Sequence, residues 1–230
     1  MLVLPLLLVV AAIVVSKWAL GRYQSKAALG RQAQAPENRT GEQMALEFLE
    51  AHGVLDVQVV AHNGVVTNYY DPTRRRLFLS DDVRQGASLY AWAMAMHEAA
   101  HALQTGDDKD ALMWRRTCIR LLRYTPTLAG FVALAAMFFL KIPARNVLFG
   151  FAGACALVML LNLGTVALEY NANTRLRNWL EGRLGRHPTA LDRIDMLLSA
   201  IATRELGDLV LSPRYFFFTA LPGTSSSRPK

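Results

Sequence analysis

Apolar positions in this chain fall into blocks whose lengths predict most of its elements. From Met1 to Val15 nearly every residue is apolar, and Trp18, Ala19 and Leu20 extend the run past Ser16 and Lys17. That predicts a membrane anchor over residues 1–20, with Lys17 and Trp18 at the interface. No basic stretch precedes the run and no small-x-small cleavage site follows, so a retained helix is expected rather than a signal peptide. Residues 21–39 are polar and basic, as a linker would be. Thr40-Gly41-Glu42-Gln43 then offers a capping residue followed three positions later by an amide, which predicts a helix running to His52-Gly53. Three short β-branched and aromatic runs come next, at 57–60, 65–70 and 76–79. Asn63-Gly64 and Asp71-Pro72 separate them, predicting a small antiparallel sheet.

From Ser88 to Gln104 the pattern changes period. Leu89, Ala93, Met96, Ala100 and Leu103 recur at three- and four-residue spacing, the mark of one buried helical stripe, with Gly106 as the stop. The acidic run 107–110 and the basic Arg115, Arg116, Arg120 and Arg123 then read as an amphipathic helix reaching a membrane surface. Two uncharged blocks follow, 125–140 and 147–168, joined by a short turn at 141–146; they predict a transmembrane hairpin. Beyond it lie a helical region, 169–212, and a tail, 213–230, expected to be flexible. Met196 to Ile201 is too short to span, and Tyr215-Phe216-Phe217-Phe218 reads as interfacial or packed on the domain. The expected fold is a mainly α membrane protein with a small antiparallel β-sheet.

Composition supports that class. The chain is 53% hydrophobic with a mean hydropathy of +0.20, high for a soluble protein. Its net charge of +7 resembles that of a nucleic-acid binder, but the basic residues flank apolar blocks and form no aromatic-studded groove, so no nucleic-acid partner is expected. Their distribution sets orientation instead. Between the two hairpin spans only Lys141 and Arg145 are basic, whereas Arg115, Arg116, Arg120, Arg123, Arg175, Arg177, Arg183 and Arg186 flank them. Lys17, Arg22, Lys26 and Arg31 after the first anchor agree, placing residues 40–124 on the cytoplasmic side, most simply at the plasma membrane of a prokaryote. Cys118 and Cys155 imply no disulfide framework.

The candidate chemistry lies in His97-Glu98-Ala99-Ala100-His101. Four residues apart on a helix, His97 and His101 project from one face and can take two positions on a zinc ion. Glu98 then stands beside the metal as a proton acceptor. The pattern arises by accident in about one chain in a hundred of this length, so it needs a third ligand to be convincing. Glu169 closes the second apolar block, where a carboxylate either marks the interface or has a cationic partner; a metal held by the two histidines would be one. Asn173, one turn on, can orient a ligand through its amide. His52, His62 and His187 fall at a helix end, near a turn and in a polar turn, where solvated histidines are ordinary.

Asp71-Pro72, Leu79-Ser80, the stretch from His97 to Gln104, and Glu169-Tyr170-Asn171-Ala172-Asn173 together resemble the YugP-type membrane zinc metallopeptidases and, more distantly, the HtpX-type membrane proteases. The resemblance covers about residues 40–180. It implies a zincin-like metal helix within 88–104, Zn2+ on His97, His101 and Glu169, Glu98 as the catalytic base, and a peptide or protein as substrate. Two features depart from the family: Asn173 stands where it has serine or aspartate, and no further apolar span follows residue 212. The competing expectation is a membrane-anchored adaptor with a structural zinc, which would need a fourth ligand such as His62 or Cys118.

Overall fold

The computed structural model describes residues 3–62, 67–104 and 106–219. The chain is mainly helical, in the order α1 (Val3–Gln32), α2 (Gly41–Ala51), β1 (Gln58–His62), β2 (Tyr69–Asp71), β3 (Arg76–Ser80), α3 (Asp81–Arg84), α4 (Leu89–Ala100), α5 (Asp107–Phe138), α6 (Ala144–Leu184), α7 (Pro188–Ala202) and α8 (Asp208–Thr219). A 3-10 turn, His101–Leu103, follows α4, and another, Arg204–Gly207, precedes α8. Three helices, α1, α5 and α6, are long and apolar enough to cross a membrane. The contacts divide the chain into two compact units, one of residues 1–21, 115–165 and 204–230, the other of residues 22–114 and 166–203.

The second unit is organised around α4. Ser88 caps it, its hydroxyl accepting from the Ala91 amide at 3.2 Å. Every residue from Leu89 to Ala100 is buried, not only the stripe that the sequence pattern predicts. The alanines explain this, since they allow other elements to approach on all sides, chiefly α2 and α7, with α3 and the sheet packing more lightly. α2 begins with the capping box expected at Thr40, each of Thr40 and Gln43 bonding the other's backbone amide. Its first residue must be glycine, because a Cβ at Gly41 would lie 2.3 Å from the Val83 carbonyl oxygen and 2.8 Å from that of Ala91. Trp92, fully buried in α4, donates from its indole to the Arg39 carbonyl at 2.7 Å.

The sheet is mixed rather than antiparallel. Its order is β1-β3-β2, with β1 parallel to β3 and β2 antiparallel to β3. Asp71 closes a tight turn by accepting from the Thr73 and Arg74 amides, and Arg75 takes a positive φ of 49° to complete it. β3 therefore folds directly back on β2 and takes the central place, leaving β1 to pair on its far side in the same direction. The expected Asn63-Gly64 turn and the start of the second predicted strand lie outside the described residues.

The expected linker is largely helix. Residues 21–32 are rich in good helix formers, so α1 continues without a break until the approach to Pro36. Its distal part packs in the second unit: Ala27 is buried, the Tyr23 and Tyr90 hydroxyls lie 2.9 Å apart, and Arg31 sits 4.0 Å over the Tyr90 ring. Likewise α5 begins at Asp107 and α6 runs on through Leu184, so the segments expected to lead into and out of the hairpin are continuous with its helices. The side chains of Arg116 and Arg120 are outside the described set. At 1.5 Å per residue the 41 residues of α6 extend roughly 60 Å, about twice the hydrocarbon thickness.

In the first unit, the 3-10 turn and α8 are held by polar contacts. Arg115 and Glu205 form a buried pair at 2.6 Å, and the Asn162 amide donates to the Glu205 carbonyl. Ser16 accepts from the Val210 amide, and the Thr127 and Ser212 hydroxyls meet at 2.8 Å. Of the aromatic cluster expected to be interfacial or packed on the domain, Phe216 and Phe217 pack on Phe131 of α5. Residues 213–219, expected in the tail, belong to α8; residues 220–230 lie outside the described set. Cys118 and Cys155 are free and buried.

The Gly41 contact is testable. Gly41→Ala forces two backbone carbonyls apart and is expected to destabilise the protein by about 1–3 kcal/mol, lowering the Tm by several degrees in a thermal melt. Gly182→Ala, on the exposed part of α6 with nothing within 4 Å of the new Cβ, should leave the Tm unchanged or raise it slightly.

Candidate metal centre

Three side chains converge in the interior of the second unit. His97, the ninth residue of α4, is fully buried; His101 opens the 3-10 turn at 1% exposure; Glu169, on α6, is 2% exposed. One Glu169 carboxylate oxygen, Oε2, stands 2.9 Å from His97 Nε2 and 3.7 Å from His101 Nε2. The two rings lie edge to face with centroids 5.0 Å apart. A single potential ligand atom from each of the three residues falls within 4.8 Å of the others.

The far side of each imidazole fixes which nitrogen carries its proton. Asn173 donates from its amide nitrogen to the Leu198 carbonyl at 2.9 Å, so its oxygen is the atom facing His97 Nδ1 at 2.8 Å. Gln104 donates likewise to the Leu168 carbonyl at 3.0 Å, turning its oxygen to His101 Nδ1 at 2.9 Å. An oxygen that only accepts requires the ring nitrogen to donate. Both Nδ1 atoms therefore bear hydrogen, and in the neutral rings both Nε2 lone pairs point at a carboxylate.

Three electron-rich atoms gathered in a buried site repel one another unless positive charge lies among them. A proton on one Nε2 would satisfy one imidazole only; a divalent cation satisfies both. Tetrahedral zinc with bonds of about 2.0 Å separates its ligand atoms by roughly 3.3 Å, and the two histidine to Glu169 distances of 2.9 and 3.7 Å bracket that value. Two imidazoles and a carboxylate are also a donor set that zinc accepts while keeping a fourth position open. The residues present fit the ion.

The other residues singled out in the sequence fall as follows. Glu98 is buried in α4 next to His97. Asn173 occupies the expected place behind His97. His62, on β1, is half-buried, and burial pulls its pKa below the ordinary histidine value; Cys118 lies on α5. Among the described residues neither joins the metal-binding group. His52 and His187 are exposed, His52 bonding the Phe48 carbonyl and His187 standing at the start of α7. Gln104 carried no role in the sequence reading, although its position three residues after His101 was the available signal.

Residues 5–204 match the family model described as "Putative neutral zinc metallopeptidase". The chain is 31% identical over 172 residues to the "Putative membrane protease YugP" of Bacillus subtilis, an alignment covering 74% of each chain. No solved structure gives a significant match.

Metal linkage tests the site directly. Zinc at a free concentration a thousand times its dissociation constant should stabilise the wild-type chain by about 4 kcal/mol, seen as a rise of roughly 8–16 °C in Tm over chelator-treated protein. Glu169→Gln, which removes the carboxylate charge at nearly constant volume, should lose most of that rise.

Proposed function

The chain belongs to the neutral zinc metallopeptidase family whose model it matches, and on that premise we propose that it is a membrane-bound endopeptidase cleaving peptide bonds at the cytoplasmic membrane face. The observation that carries the reading is the convergence of His97, His101 and Glu169, from elements far apart in sequence, on one buried point. When bound there, zinc supplies Lewis acidity: it lowers the pKa of a coordinated water to about 7 and polarises a substrate carbonyl.

The chain's own residues do the rest. His97 and His101 offer neutral Nε2 atoms because Asn173 and Gln104 hold their Nδ1 protons. Glu98 takes the proton from the attacking water on its carboxylate and later delivers it to the departing amine. Burial of the ligand set keeps bulk water from screening these charges. An extended substrate can join the sheet only along its outer strands, β1 and β2, by strand addition. The three apolar helices and the excess of basic residues flanking them support an integral membrane protein with its site on the cytoplasmic side, most simply in the plasma membrane of a prokaryote.

A membrane-anchored adaptor with a structural zinc is the second reading. It calls for a fourth protein ligand, and neither His62 nor Cys118 lies in the group.

Glu98→Gln separates the two. In a peptidase the variant should keep its zinc, measured by metal analysis of the purified protein, and lose peptide hydrolysis by about 100-fold or more. His101→Ala should lose the zinc itself. Equal hydrolysis by Glu98→Gln and wild type would overturn the catalytic assignment while leaving the metal site standing.

A further inference from the structure

The backbone leaves the α-helical path at the second imidazole. α4 ends at Ala100, and His101–Leu103 tighten into a 3-10 turn before Gln104 turns the chain to an extended conformation (φ −79°, ψ 105°). On an α-helix, side chains three residues apart are offset by about 60°, whereas on a 3-10 turn they eclipse. The tightening therefore brings Gln104 directly over His101, with its oxygen 2.9 Å from Nδ1.

The same amide reaches in the other direction. Its nitrogen donates to the carbonyl of Leu168, the residue before Glu169. Arg175, on the same helix as Glu169, donates to the Leu103 carbonyl. The turn that carries His101 is thus tied to α6 on both sides of the carboxylate. These ties act where the helix changes pitch: His101 lies beyond the last residue of α4, at the passage from α-helix to 3-10 turn.

We propose that Gln104 is a positioning residue that holds His101 in its Nε2-presenting tautomer, its own amide aimed by the Leu168 carbonyl. This rests on the zinc reading above and goes beyond it, because it makes the 3-10 turn part of the metal site. Asn173 serves His97 in the same way but from α6 to α7, so the two imidazoles are held from different elements.

The experiment compares Gln104→Met, of similar length without an amide, with Gln104→Glu, which keeps an acceptor for the Nδ1 proton and gives up the donor to Leu168. Zinc affinity of the full detergent-solubilised chain is measured by chelator competition, alongside the visible spectrum of the Co2+-loaded protein and the Tm of the metal-free protein. Gln104→Met should weaken zinc binding about 10–100-fold and alter the Co2+ spectrum, with the metal-free Tm close to wild type. Gln104→Glu should recover most of the affinity. The proposal is overturned if Gln104→Met binds zinc as wild type does. It is equally overturned if Gln104→Glu is as weak as Gln104→Met, since the residue would then only brace the turn. Should Gln104→Met fail to fold, Gln104→Glu measured against wild type decides alone: near-wild-type affinity supports the role and a 100-fold loss refutes it. Wild-type protein that takes up no zinc would overturn the metal reading and this proposal with it.

Discussion

Two imidazole nitrogens and a carboxylate brought within 4.8 Å of one another in a buried site form an arrangement whose mutual repulsion positive charge among them would relieve. Each group is at most 2% exposed, so water cannot relieve the repulsion. The fold must therefore hold the three groups against one another, and most of the second unit is legible as the means of doing so. α4 is buried on every side, which fixes the backbone that carries His97 by packing. The amides of Asn173 and Gln104, each anchored on a backbone carbonyl, fix the ring orientations. Nothing in that scheme relies on exposed ion pairs, whose contribution is small.

Burial of α4 on all sides has consequences elsewhere. A helix that must be approached from every direction carries small residues, and five alanines between Ala91 and Ala100 meet that need. Close approach in turn puts backbone against backbone. Gly41 is the clearest instance, since the α2 N-terminus comes near enough to the Val83 and Ala91 carbonyls to exclude a Cβ. The helix that carries His97 and leads into the turn carrying His101 thus dictates the composition of its neighbours.

What could be read in advance depended on the range of the forces involved. The capping box at Thr40, the β-turn at Asp71 and the apolar blocks are local, and each appeared where the pattern put it. The grouping of Glu169 with His97 and His101 was legible because a carboxylate at the end of an apolar block needs a partner. Three things escaped. Helix boundaries in α1, α5 and α6 were missed because a change from apolar to basic composition alters the solvent of a helix without ending it; only residues such as the one before Pro36 do that. The mixed sheet was missed because turn residues imply pairing between sequence neighbours, and β1 instead pairs with β3. Gln104 was missed because its role depends on a change of helical pitch that side-chain periodicity does not record.

The contacts of α8 run in a graded order along α5. α8 has 12 residues, roughly 18 Å, which is too short for a hydrocarbon core of about 30 Å. Its entry is fixed by charge: Glu205 pairs with Arg115, and Asp208, its pKa pushed up to about 6 by burial, faces Arg123 at 3.8 Å. From there it becomes apolar, with Ser212 on Thr127 and then Phe216 and Phe217 on Phe131. Thr127 and Phe131 lie one and two turns beyond Arg123 on α5, so the contacts progress along that helix from ionic to hydroxylic to aromatic. α8 thus covers the more polar part of α5 that it packs on, while Val132, Leu134 and Phe138 of α5 stay exposed, as apolar residues of a helix long and apolar enough to cross a membrane would.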